Sequence, residues 1–97
     1  MVLRKLLTKE LIKELGLPEN SMFLGYIVHL PNEDEFLAEF ISTEVIEKRL
    51  FVKTPKLAKV YNDHRNAIRD SKKCKQKAEV CLLFDVGRQF IVIPMGE

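Results

Sequence analysis

The chain has 97 residues, of which 46% are hydrophobic and 31% are charged, and its net charge is +2. This composition is too apolar for a disordered chain, and the length suits one globular domain spanning residues 1–97. The N-terminal segment lacks the continuous apolar region of a signal peptide, and no stretch approaches the roughly 18 apolar residues of a membrane-spanning helix. Because Cys74 and Cys81 are the only cysteines, we predict a cytoplasmic protein without a disulfide framework.

The first predicted element is a helix over residues 3–15, where leucines recur at spacings of three and four. Gly16 stands where a left-handed cap is needed, Leu17 follows as its apolar contact, and Pro18 prevents the helix from continuing. Residues 22–30 then predict a strand that is apolar on both faces, which is typical of an interior strand.

Residues 31–42 allow two interpretations. Asn32 and the three acidic residues after it resemble a capped helix start. The same PNED segment is also good turn chemistry, after which residues 35–41 would return as the second strand of a hairpin. The two interpretations are equally consistent with the sequence.

The second half predicts two helices and a hairpin. Thr43 caps a short helix over residues 43–51, and Thr54 with Pro55 opens a longer one over residues 55–71. The hairpin joins strands 78–85 and 88–94 through Val86 and Gly87, and Pro94 ends it.

Together these elements predict an α+β domain with an antiparallel sheet of three or four strands and three or four helices on one face. The order of helix, strand, two helices and hairpin also resembles that of a winged helix, in which residues 55–71 would read DNA. Because the strands are apolar on both faces and one small domain has trouble covering both, we expect a homodimer that buries part of the sheet or the strand 22–30.

The most basic stretch is HRNAIRDSKKCKQK, residues 64–77, with six Lys and Arg against one Asp. In the predicted helix, Leu57, His64 and Ile68 mark the apolar side, and the arginines fall together on a separate flank. Lysines near a helix C-terminus are favourable by about 0.3–1 kcal/mol, whereas the like-charged pair Arg65 and Arg69 costs a few tenths of a kcal/mol. One interpretation is a solvated helix face whose lysines compensate the helix dipole. The other, which we adopt, predicts phosphate contacts by Asn62, Arg65, Arg69, Lys72, Lys73, Lys75 and Lys77.

Sequence signals for catalysis or for a bound metal are weak. The glycine-rich phosphate loops and the nucleophile motifs of known enzyme classes do not occur, and we nominate no catalytic residue. The cysteines and histidines lack a metal-binding spacing, so we predict no metal and no cofactor. His29 and His64 are expected to be packed at the core boundary, and Cys81 is expected to be a buried thiol.

The leading hypothesis is a non-catalytic, cytoplasmic nucleic-acid-binding or regulatory protein, with DNA and RNA both open as partners. An acidic protein is the other partner that the arginines suit. The alternative is a protein-interaction module, such as a small inhibitor or adaptor. It would act through the apolar sheet face or through an acidic segment comprising Glu33, Asp34, Glu35 and Glu39.

Overall fold

A computed structural model of the chain describes residues 2–95, with side chains from Thr8 onward. The elements are helix α1 (Val2–Glu14), strands β1 (Met22–Leu30), β2 (Glu35–Ser42) and β3 (Glu47–Val52), a 3-10 turn (Pro55–Leu57), helix α2 (His64–Lys72), and strands β4 (Glu79–Asp85) and β5 (Phe90–Pro94). The strands form one five-stranded sheet in the order β3-β2-β1-β4-β5, and every neighbouring pair is antiparallel. The predicted α+β class is confirmed, although the described chain has five strands and two α-helices.

The end of α1 follows its predicted cap. Gly16 has φ 70°, its N–H donates to the carbonyl of Lys13 at 3.1 Å, and the N–H of Leu17 donates to Ile12 at 3.0 Å. These two bonds satisfy carbonyls that a helix end otherwise leaves without a partner. Ile12 is buried, so this helix end is also anchored by packing.

The ambiguous segment after β1 is a hairpin and not a helix. Residues 31–34 form the turn, in which Asp34 adopts φ 53°, and β2 then pairs His29 with Phe36. Asp tolerates this left-handed conformation better than most residues. β4 and β5 also form the predicted hairpin, but β5 starts at Phe90, so the connection is longer than expected.

The predicted helix over residues 43–51 is wrong. Thr43 does accept hydrogen bonds through its Oγ1, from the N–H groups of Val45 at 3.3 Å and Ile46 at 3.0 Å. Its own N–H donates to the carbonyl of Ile46 at 2.7 Å, so the segment closes a turn instead. The hydrogen bonds that Thr43 accepts can form both at a helix start and in a turn. The turn forms here because β3 pairs with β2.

The predicted helix over residues 55–71 is also wrong in its first half. Thr54 and Pro55 start a helical turn as expected, but it ends at Leu57, and α2 begins only after its cap Asp63. The residues between them are not helical, because Tyr61 bonds to β1, and this long-range contact overrides the local periodicity. Without the two consecutive helices, the winged-helix order is absent from residues 2–95.

The chain crosses its own sheet between β1 and β2. These strands pair only beside their hairpin turn, and further along, Tyr26 exchanges two backbone hydrogen bonds with Tyr61, at 2.7 and 2.8 Å. The N–H of Lys59 donates to the carbonyl of Leu37 at 2.9 Å, so residues 59–61 occupy the opening between the two strands.

The two faces of the sheet carry separate core clusters. On one face Ala58 packs against buried side chains of the sheet, which are Ile27, Phe36, Cys81 and Leu83. On the other face Tyr61 and Ala67 pack against Val28 and Leu37. Because neighbouring strand residues such as Ile27 and Val28 point to opposite faces, the chain passes from one face to the other between residues 58 and 61.

Both faces of β1 are therefore covered within one chain. Ile27, Val28 and Leu30 have no exposed surface, which removes the reason that the sequence offered for a dimer through the sheet. Beyond the opening, β2 and β3 continue as a two-stranded ribbon, residues 39–50, that carries exposed apolar side chains: Ile41, Val45, Ile46 and Leu50.

Of the glycines Gly16, Gly25 and Gly87, Gly25 should tolerate substitution least. It has φ 143°, and a Cβ there would lie 2.6 Å from the carbonyl oxygen of Tyr61. Gly25→Ala should therefore lower the free energy of unfolding by at least about 2 kcal/mol, through backbone strain and a clash with the crossing chain. Urea unfolding measures this loss.

Gly16→Ala is the matched control, because Gly16 also has positive φ but a Cβ there would meet nothing within 4 Å. It should cost only the conformational strain, about 1–2 kcal/mol. Equal losses in the two variants would contradict a close passage of the chain beside Gly25.

Candidate functional site

Six basic residues follow one another along α2 and the loop that leads to β4. We call them the basic surface: Arg65, Arg69, Lys72, Lys73, Lys75 and Lys77. All six are exposed. The structure therefore brings together the basic residues that the sequence nominated, although the helix that carries the first three has only nine residues.

The two arginines have carboxylate partners that the sequence pattern did not indicate. The guanidinium of Arg65 donates to the cap residue Asp63 at 2.9 Å, and Nε of Arg69 donates to Asp70 at 3.2 Å. The hydrogen bonds from Arg65 hold the pKa of the Asp63 carboxyl below its ordinary value. Arg65 and Arg69 therefore take part in hydrogen bonds of the folded chain, even though the two side chains remain largely exposed.

The lysines of the basic surface differ from the arginines. Lys72, Lys75 and Lys77 have no carboxylate within 4.0 Å among the residues whose side chains are described. Four exposed ammonium groups thus lie within residues 72–77. Because no described side chain gives these ammonium groups a counter-charge, residues 72–77 carry more unpaired positive charge than the two arginines of the basic surface.

Lys73 connects the basic surface to the ribbon. Its ammonium lies 5.5 Å from the centre of the Phe40 ring, and the guanidinium of Arg49 lies 5.0 Å from the same ring. Arg49 also donates to the carbonyl of Lys73 at 2.6 Å and pairs with Glu47. These contacts hold the end of α2 against the ribbon, so the lysine segment starts from a fixed point.

Asn62 and His64 lie elsewhere than predicted. Asn62 precedes the cap of α2 and lines a groove of about 600 Å³ with Tyr26 and Arg65, so it is not on the helix flank. The side chain of His64 is 49% exposed, with its ring 5.7 Å from that of Tyr26. His64 therefore lies at the boundary and not in the core, because the helix starts at this residue and turns Ala67 to the core instead.

A buried hydrogen bond between Asp70 and Tyr61 holds α2 against the crossing segment. Asp70 is 3% exposed and accepts a hydrogen bond from the hydroxyl of Tyr61 at 2.6 Å, while Nζ of Lys59 lies 4.0 Å away. Burial and the hydrogen bond to Asp70 raise the pKa of the Tyr61 hydroxyl. The pair joins the crossing segment to the helix that carries the basic surface.

A second polar cluster lies on the opposite face of the sheet, around His29. Its Nδ1 is 2.8 Å from Oε2 of Glu79, its Nε2 is 3.1 Å from Oδ1 of Asp34, and its ring packs on that of Phe36. Burial lowers the pKa of His29, but the hydrogen bonds and charges of Glu79 and Asp34 outweigh it, so the pKa lies above the ordinary 6.5.

The thiol of Cys81 lies beside the same cluster, 3.9 Å from Oε2 of Glu79. Burial, with the charge of Glu79, raises the pKa of this thiol to about 12. Among the described residues, His29, Glu79 and Cys81 bring one nitrogen, one oxygen and one sulfur within 4.8 Å of one another, so they are candidates to hold a metal ion. The sequence indicated a buried Cys81 correctly, but spacing alone did not reveal its neighbours.

Comparison with known proteins assigns no family to the chain. Family models, curated protein sequences and solved structures all give no match. Within residues 2–95, no helix has the length and apolar content needed to cross a membrane.

The raised pKa of His29 predicts a pH-dependent stability of the metal-free protein. Well below pH 6.5 the ring is protonated in both the folded and the unfolded chain, so its stabilising contribution is fully present. As pH rises through the folded-state pKa, the charge is lost and the free energy of unfolding should fall. Urea unfolding in the presence of a chelator, at several pH values from 5 to 9, measures this change.

His29→Gln should remove the part of this fall that belongs to the ring, because glutamine does not titrate. His64→Gln is the control, since it leaves the His29 cluster intact and should keep the fall. A pH profile that is the same in wild type and His29→Gln would contradict the assignment.

Proposed function

We propose that this chain is a non-catalytic nucleic-acid-binding or regulatory protein of the cytoplasm, which contacts the phosphodiester backbone through its basic surface. One observation carries the proposal: Lys72, Lys75 and Lys77 are exposed and have no carboxylate partner among the described side chains. Neutralising phosphates and releasing their counterions is the main source of affinity in such binding.

The chemistry of these side chains favours the backbone over the bases. Lysine ammonium groups on flexible stems act as point charges, whereas base recognition relies on planar groups with two aligned donors. The planar groups here, Arg65 and Arg69, already donate to Asp63 and Asp70, so only part of each guanidinium is left for a ligand. We therefore expect binding with little sequence preference. A regulatory protein of this kind would act by covering the nucleic acid and not by reading its sequence.

The test is a salt titration of binding to random duplex and to single-stranded DNA and RNA, by gel shift or fluorescence anisotropy. Lys75→Gln/Lys77→Gln should weaken binding and reduce the slope of log K against log salt by about 1.8 on duplex DNA or about 1.4 on single strands. The reason is the loss of two phosphate contacts. Arg65→Glu/Arg69→Glu should also weaken binding, although it disturbs the partners of Asp63 and Asp70.

Two further variants separate local contacts from overall charge. Lys9→Gln/Lys13→Gln removes the same charge from the exposed side of α1 and should leave the slope unchanged. Asp63→Asn keeps a good helix cap but frees Arg65, so it should tighten binding. If wild type shows no binding to any of these nucleic acids at low salt, the proposal is wrong.

The alternative is a protein-interaction module or a homodimer, and the ribbon is the surface that would make the contact. Asp34 and Glu35 of the acidic segment face His29 and Lys53 within the chain, and both faces of β1 are covered. The ribbon instead exposes Val45 by 89% and Ile46 by 58%. Light scattering during size exclusion at micromolar concentration measures self-association, which Val45→Ser/Ile46→Ser should abolish if this surface drives it; a monomeric wild type would rule out the dimer.

A further inference from the structure

We propose that His29, Glu79 and Cys81 form a binding site for a divalent cation of the zinc class, independent of the basic surface. The three side chains offer a nitrogen, an oxygen and a sulfur within 4.8 Å of one another. Imidazole, carboxylate and thiolate are the ligands of Zn²⁺ in proteins, and the sulfur disfavours Mg²⁺ and Ca²⁺, which prefer oxygen alone.

The sheet register builds this triangle. His29 of β1 lies directly opposite Glu79 of β4, and Cys81 lies opposite Ile27 in the same ladder. Glu79 and Cys81 are two positions apart on one strand, so their side chains point to the same face, which is also the face of His29. The ligands therefore stand on paired backbone in the interior of the sheet, where their positions are fixed before a cation arrives.

Two of the three ligand separations are near those of a zinc site, and the third, between His29 and Cys81, lies within 4.8 Å and must shorten by up to about 1 Å. A tetrahedral zinc ion with bonds of 2.0–2.3 Å holds its ligand atoms about 3.3–3.7 Å apart. Oε2 of Glu79 is 2.8 Å from Nδ1 of His29 and 3.9 Å from Sγ of Cys81. A cation between these atoms would widen the first separation slightly and shorten the second.

Asp34 supplies the outer contact that such sites use. Its Oδ1 lies 3.1 Å from Nε2 of His29, on the far side of the ring from Glu79. By accepting the Nε2–H, this carboxylate fixes the ring and leaves Nδ1 as the atom that faces Glu79 and the thiol. Histidine ligands commonly donate their second N–H to a carboxylate in this way.

Charge and proton accounting are consistent with a 2+ cation. Bound Zn²⁺ would displace the Nδ1 proton of the ring and the thiol proton of Cys81, and both protons would pass to the buffer. The thiolate of Cys81 and the carboxylate of Glu79 then balance the ion. Glu79 is 34% exposed while Cys81 is buried, so the ion would enter beside the carboxylate, and water would complete the tetrahedron.

The test uses the full chain stripped with a chelator and titrated with Co²⁺, followed by displacement with Zn²⁺. Co²⁺ should give a thiolate-to-metal charge-transfer band and tetrahedral visible bands, which Zn²⁺ abolishes. Cys81→Ser should eliminate the charge-transfer band, and Cys74→Ser, which changes the other free cysteine, should retain it. A band that depends on Cys74, or no band in wild type, overturns the proposal and leaves His29 and Glu79 as an ion pair only.

If Cys81→Ser does not fold, variants at the more exposed positions Glu79 and Asp34 still test the proposal. Glu79→Gln should weaken Co²⁺ binding, and Asp34→Asn should weaken it up to about 10–100-fold, because the outer acceptor of His29 loses its negative charge. Zn²⁺ should also raise the unfolding temperature of wild type but not of His29→Gln. Equal Co²⁺ affinity in wild type, Glu79→Gln and Asp34→Asn would overturn the assignment of the ligands.

Discussion

The passage of residues 58–61 between β1 and β2 is the constraint on which the rest of this structure depends. Two backbone hydrogen bonds between Tyr61 and Tyr26 fill the side of β1 that β2 leaves unpaired. A buried backbone group without a hydrogen-bond partner destabilises the fold. The two strands can separate here only because another segment bonds to the backbone groups that they leave unpaired. Gly25 makes the passage possible, since any Cβ there would meet the carbonyl of Tyr61.

This crossing also decides where the functional candidates lie. Ala58 remains on the face that contains Ile27, whereas Tyr61 emerges on the other face and holds α2 through Asp70. The basic surface therefore belongs to the helix side of the sheet, and the His29 cluster belongs to the opposite face. The two sites share no side chain, so one can be altered chemically while the other is left in place.

Local signals predicted those elements whose stability is local. The cap at Gly16 satisfies its own backbone groups, and the apolar runs of the strands end at turn residues that are visible over a few positions. Thr43 shows the limit, because its side chain makes the same bonds in a helix start and in a turn, and only pairing with β2 selects the turn. The helix predicted from residue 55 failed for the same reason, since Tyr61 is bound by a strand distant in sequence.

The two candidate sites also differ in whether local sequence reveals them. A run of lysines is visible in sequence because each ammonium carries its charge wherever the chain folds, and so the basic surface was predictable apart from the partners of its arginines. The His29 cluster was not, because its ligands are separated by 50 positions and meet only when β1 and β4 pair in one register. A shift of that register by one residue would move Glu79 and Cys81 to the other face, away from His29. Metal-ligand spacing along a chain is therefore informative where the ligands stand on one loop or helix, and it carries no information about a site that strand pairing assembles.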